Sequence, residues 1–150
     1  MGRISEKLAR HSIIGLDTSV FIYQFEAHPA YWPITQELLA GVQAGQWQAV
    51  SSTITVMELT VPAWQIDRES TAREYETLLA NFPNLALVDV TRDVARRAAQ
   101  LRARYRIGPA DALQVASSLV SKATAFVTND RGLNRLGETI NVILLDECLE

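Results

Sequence analysis

Ser12-Ile13-Ile14-Gly15-Leu16-Asp17-Thr18-Ser19 is a short apolar run that stops at a carboxylate followed by two hydroxyls. An apolar run this short, bounded by a polar turn, predicts a buried strand of a parallel sheet rather than a helix. Ligands of open α/β sheets collect beyond the carboxyl ends of the strands. Asp17 is therefore expected where chemistry sits, and the remaining acids can be sorted by whether they arrive at the same place.

Working outward, Gln48–Ser52, Leu85–Val90, Ala125–Thr128 and Val142–Leu145 read as further strands. Helices are expected between them. One starts near Val20 with Thr18 or Ser19 as its cap, and one runs from Pro33 to Gly45 with Pro33 suited to its first turn. A helix through Glu58 is capped by Ser52 or Thr53 and interrupted at Pro62. Others cover 68–81, an arginine-rich stretch capped by Thr91, and a segment opened by Gly108-Pro109; residues 129–132 read as a turn. Alternating strands and helices predict an α/β fold: a central parallel sheet of four to five strands with helices on both faces. Residues 1–11 form a polar, helix-compatible lead-in, and 12–150 a single domain.

Composition narrows the function classes. The 150 residues suit one domain, and a single Cys148 excludes an internal disulfide or a cysteine-rich zinc site. His11 and His28 lie too far apart for the usual zinc spacing. The N-terminus has no signal-peptide core, and no run is apolar and long enough for a membrane span, so a cytoplasmic protein is expected. The net charge of −3 argues against a nucleic-acid coat protein, but the cations are unevenly spread. Arg92, Arg96, Arg97, Arg102, Arg104 and Arg106 fall in one short segment, which suits either phosphate contact or a solvated helix face. Trp32, Trp47 and Trp64 suit an interface or ordinary core packing.

Four of the 17 acids stand alone in core-like sequence. Asp17 has no charged neighbour between Arg10 and Glu26, Glu58 none between Glu37 and Asp67, and Asp111 none between Arg106 and Lys122. Asp130 follows a strand with no charge back to Lys122. A carboxylate on an apolar face is costly without compensation. Asp17 and Asp130 end strands; Glu58 and Asp111 open helices from the same sheet edge, with Asp111 on the stripe of Val115 and Leu119. Asp17 or Asp130 by itself serves equally as a turn or helix cap and Asp111 as a dipole partner, whereas nothing nearby in sequence neutralises Glu58. Gathered together they repel, and a hard divalent ion, Mg²⁺ or Mn²⁺, resolves the conflict with an all-oxygen site.

In these stretches the chain resembles a PIN domain. The likeness rests on Leu16-Asp17-Thr18-Ser19-Val20-Phe21-Ile22, Ser52-Thr53 through Glu58-Leu59, Pro109-Ala110-Asp111-Ala112 and Phe126-Val127-Thr128-Asn129-Asp130, and spans about residues 12–146. Within that family it is similar to the compact VapC-like ribonuclease toxins. The resemblance implies a Mg²⁺- or Mn²⁺-dependent endoribonuclease, the toxin of a toxin–antitoxin pair, with a small antitoxin partner and a homodimer. It implies Asp17, Glu58, Asp111 and Asp130 as metal ligands and catalytic acids, with a metal-activated water cleaving RNA to 5′-phosphate and 3′-hydroxyl ends. Ser19 and Thr128 would orient those ligands or the water, and the six arginines of 92–106 would contact the RNA backbone. Two other classes fit parts of the pattern. One is a non-catalytic PIN-like module that binds RNA or an antitoxin. The other is an Asp-based phosphohydrolase or phosphoacceptor; here the haloacid-dehalogenase pattern lacks its second Asp at Ser19, and a receiver domain lacks its acidic pair before Asp17. Glycine-rich nucleotide-binding patterns are missing.

Overall fold

The computed structural model describes residues 2–149. Five strands form one sheet: β1 (Ile13–Leu16), β2 (Gln48–Ser52), β3 (Leu85–Val88), β4 (Ala125–Thr128) and β5 (Asn141–Leu144). Their order is β3-β2-β1-β4-β5, and every pairing is parallel. The chain thus winds outward from β1 in one direction and returns to the other side at β4. That reversal opens a crevice at the carboxyl ends of β1 and β4, where Asp17 and Asp130 follow their strands.

Seven helices cover the sheet: α1 (Arg3–Leu8), α2 (Thr18–Phe25), α3 (Trp32–Gln43), α4 (Ile54–Gln65), α5 (Glu69–Ala80), α6 (Arg92–Tyr105) and α7 (Pro109–Val120). Alternation along the central strands separates two cores. Ile14, Leu16 and Val127 pack with Leu38 and Val20 on one face, while Phe126 packs with Val115 and Leu101 on the other. The lead-in is built into the first core: Ile4 and Leu8 of α1 are buried there, and Trp47 donates its indole N–H to the Leu8 carbonyl at 3.1 Å. The arginine-rich helix buries Val94, Ala98, Leu101 and Tyr105, the stripe its periodicity requires.

Gly15 is where α7 meets the sheet. A Cβ there would lie 2.0 Å from Ser118 Oγ and 2.9 Å from Phe126 Cδ1, so the helix can approach β1 only without a side chain.

Three local expectations are corrected. The cap of α2 is Asp17, whose carboxylate accepts from the Thr18 N–H, because Thr18 and Ser19 are already helical. Helix α4 runs through Pro62 instead of breaking. Proline there removes one intrahelical bond, to the Glu58 carbonyl, and the exposed ring leaves the packing of Leu59 and Ala63 intact. Ser52, one of the two caps expected, satisfies the start of that helix, accepting from the Ile54 N–H at 3.1 Å. The 129–132 turn continues into a 3₁₀ helix, Arg131–Leu136, because Leu133 and Leu136 bury against the second core. Of the tryptophans, Trp47 is buried, whereas Trp32 and Trp64 are exposed.

Candidate active site

Asp17 sits at the junction of β1 and α2 with both carboxylate oxygens engaged. Oδ1 accepts from the Thr18 N–H at 2.9 Å, and Oδ2 accepts from the Thr128 hydroxyl at 2.6 Å. Thr128 ends β4, is fully buried, and in turn accepts from the Asp130 N–H at 3.1 Å. One hydroxyl therefore ties the acid after β1 to the acid after β4. Asp130 itself is exposed and caps the 3₁₀ helix, accepting from the Gly132 N–H at 2.8 Å.

Glu58 reaches the same place from α4. Its Oε1 accepts from the Thr18 hydroxyl at 2.7 Å and from the Gln114 amide at 3.2 Å. Thr18 thus bonds Asp17 through its backbone and Glu58 through its side chain. Asp111 lies in the first turn of α7, three residues before Gln114 and partly buried. Four elements, β1, β4, α4 and α7, deliver the acids because each begins or ends at the carboxyl edge of the sheet.

The electrostatics bind the four acids into one set. Burial above all, and then the negative charges of Asp111 and Glu58, hold the Asp17 carboxyl at about 6, although the bonds from Thr128 and Thr18 pull it down. Burial also raises Asp111, followed by the charges of Asp130 and Glu58. Asp17 and Asp111 are thus both raised by burial and by neighbouring carboxylates.

Beneath the carboxylates lies a network that the spacing of the acids did not reveal. Gln114 donates to Thr18 Oγ1 and Thr55 Oγ1, both at 2.9 Å. Thr55 lies 2.9 Å from Ser51 Oγ, which donates to the Leu16 carbonyl at 2.8 Å. Ser51, Thr55, Thr18 and Gln114 are all buried. The available signal was an amide on the apolar stripe of α7, one turn beyond Asp111. Ser19 stands in the first turn of α2, and its hydroxyl is buried without a hydrogen-bond partner among the described residues.

The donor set is all carboxylate and hydroxyl oxygen, which suits a hard divalent ion. Among the described residues no group of three or more Asp, Glu, His or Cys side chains is drawn close enough to hold a metal ion. The oxygen chemistry of the four acids nonetheless fits a magnesium- or manganese-sized ion.

The six arginines lie apart from this network. Arg96 pairs with Asp93 and Arg104 with Glu138, each at 2.8 Å, while Arg97 bonds Gln100 and Arg102 bonds the Ile107 carbonyl. Arg92 begins α6 and Arg106 follows it in a left-handed conformation; both are exposed.

The family model described as PIN domain matches residues 14–139. No curated protein matches the chain. Among solved structures, a toxin–antitoxin complex from Klebsiella pneumoniae is similar at a TM-score of 0.64 and 20% identity, over 89% of this chain and 97% of that one. VapBC2 from Rickettsia felis, bound to a DNA fragment from their promoter, gives 0.65 and 22%, over 88% and 96%. FitAcB from Neisseria gonorrhoeae gives 0.65 and 20%, over 89% and 97%. At these identities the likeness establishes the fold. No helix among the described residues is long and apolar enough to cross a membrane.

Proposed function

This chain belongs to the PIN domain family, and on that premise we propose that it is a metal-dependent endoribonuclease, the toxin of a toxin–antitoxin pair. The observation that carries the reading is the double engagement of Thr18, which bonds Asp17 and Glu58 at the carboxyl edge of β1. Asp17, Glu58, Asp111 and Asp130 are the catalytic acids and would hold one or two Mg²⁺ or Mn²⁺ ions.

When bound, the ion supplies acidification of water and offsets charge on the phosphodiester. The chain's own residues do the rest. Thr128 orients Asp17 and, through the Asp130 N–H, the loop that carries Asp130. The Thr18 hydroxyl fixes Glu58. The Ser19 hydroxyl, buried and without a hydrogen-bond partner among the described residues, would orient a ligand or a water from behind the acids. Arg92, Arg96, Arg97, Arg102, Arg104 and Arg106 supply cations for the RNA backbone, with Arg92 and Arg106 the least engaged in the fold.

An antitoxin partner is supported by the solved relatives, which are a toxin–antitoxin complex, VapBC2 and FitAcB. A homodimer is supported by Met57, Val61 and Trp64, which form an exposed apolar stripe along the outer face of α4. A second copy of the chain is the occupant we assign to it. We place the protein in the cytoplasm, where its RNA substrate is.

The test is incubation of purified protein with structured RNA in Mn²⁺, Mg²⁺ or EDTA. Metal-dependent cutting by the wild type, lost in Asp17→Asn and Asp111→Asn, is expected. RNA binding without cutting under every metal would favour a silent module, and acetyl-phosphate labelling of Asp17 a phosphoacceptor.

A further inference from the structure

Gln114 is 2% exposed, on the face of α7 that meets α2 and α4. An amide that deep is costly unless partners meet it, and here they meet only its nitrogen side, Oε1 having none among the described residues. Its Nε2 faces three oxygens: Thr18 Oγ1 and Thr55 Oγ1 at 2.9 Å, and Glu58 Oε1 at 3.2 Å. Only the amide nitrogen can face a carboxylate oxygen favourably, so its orientation is dictated by Glu58.

The proton directions then follow around the network. Ser51 spends its hydroxyl proton on the Leu16 carbonyl, and Thr18 spends its own on Glu58 Oε1. Thr55 is left to donate to Ser51 or Thr18. Every hydroxyl proton is committed, and the two N–H bonds of the Gln114 amide are shared among three acceptors, of which Glu58 Oε1 is the most distant. Glu58 Oε1 is an acceptor in both of its contacts. No group among the described residues bonds Glu58 Oε2. The result is a carboxylate pinned by one oxygen with the other open.

We propose that Gln114 is a positioning residue for Glu58: its amide holds Oε1 so that Oε2 is presented to a divalent ion. This rests on the metal-dependent reading above. It assigns to α7 two tasks one turn apart, a ligand at Asp111 and the support of a ligand on another helix. The unpartnered Oε1 of Gln114 is consistent with an amide whose orientation is set by its nitrogen side.

The experiment is Mn²⁺ titration by calorimetry of the wild type, Gln114→Met and Gln114→Glu, with thermal melts and RNA-binding anisotropy in EDTA alongside. Methionine keeps length without donors, and glutamate replaces the donor by a second anion beside Glu58. Both variants are expected to melt cooperatively and bind RNA in EDTA as the wild type does. Mn²⁺ affinity should fall about 10-fold or more in Gln114→Met, and further in Gln114→Glu. Equal Mn²⁺ affinity in all three proteins overturns the inference and leaves the functional reading standing. No Mn²⁺ binding by the wild type overturns both. Loss of a cooperative melt in both variants overturns it in favour of a purely structural role.

Discussion

The Thr128 hydroxyl donates to Asp17 Oδ2 at 2.6 Å, joining the end of β4 to the end of β1 across the crevice of the sheet. The same oxygen accepts from the Asp130 N–H, so Thr128 organises two of the four acids at once. Thr128→Val keeps the shape and removes both bonds. It should cost about 1–3 kcal/mol of stability, because Asp17 Oδ2 and the Asp130 N–H are left without partners. It should also cut Mn²⁺ affinity about 10- to 100-fold. Urea denaturation and calorimetry measure the two effects.

Asp17 makes the metal-free protein sensitive to pH. Its carboxyl is raised from an ordinary 3.8 to about 6, chiefly by burial. Between those values the folded state binds more protons than the unfolded state, so stability falls as pH rises and levels off above about 6. The contribution is at most about 3 kcal/mol. In EDTA at pH 7.5, Asp17→Asn should therefore melt above the wild type, and the gap should close near pH 4. Added Mn²⁺ should raise the wild type and not the variant. Melts across pH, with and without metal, measure this.

Gly15 should accept no side chain. Gly15→Ala sets a methyl 2.0 Å from Ser118 Oγ and 2.7 Å from Ser118 Cβ, and forces α7 off the sheet. The expected loss is about 1–3 kcal/mol. Because α7 carries Asp111, activity should fall with it. Ser118→Gly in the same chain should recover part of both, read by urea midpoints and RNA cleavage.

The α4 stripe should hold two copies together. Val61→Glu places a charge among Met57 and Trp64, which are exposed on the same face. Light scattering should report a dimer for the wild type and a monomer for the variant, with melting little changed. A monomeric wild type at micromolar concentration would contradict the assignment of that face.

How much of this was legible in the sequence depends on the signal each part left. The strands β1 and β4 were readable because they are short apolar runs bounded by polar residues, the mark of burial on both faces. The order of the sheet follows from pairing across distant segments and was not written in any one of them. Isolation from other charge singled out Asp17, Glu58, Asp111 and Asp130, and the fold joins Asp17 and Glu58 through Thr18. Their supports were not readable, since Thr18, Thr55 and Ser51 look like ordinary hydroxyls until the chain closes around them. Proline in α4 misled because propensity prices one lost bond, while the packing of Leu59 and Ala63 carries the helix past it. Asp17 as the cap of α2 was hidden by the two hydroxyls that follow it, both better known as caps.

Whether the acids share an ion is decided by anomalous diffraction from crystals soaked in Mn²⁺. The expected result is a peak in the crevice between β1 and β4, about 2.1 Å from oxygens of Asp17 and at least one of Glu58, Asp111 and Asp130. A peak elsewhere on the protein, or none at saturating Mn²⁺ with the crevice open to solvent, would contradict it.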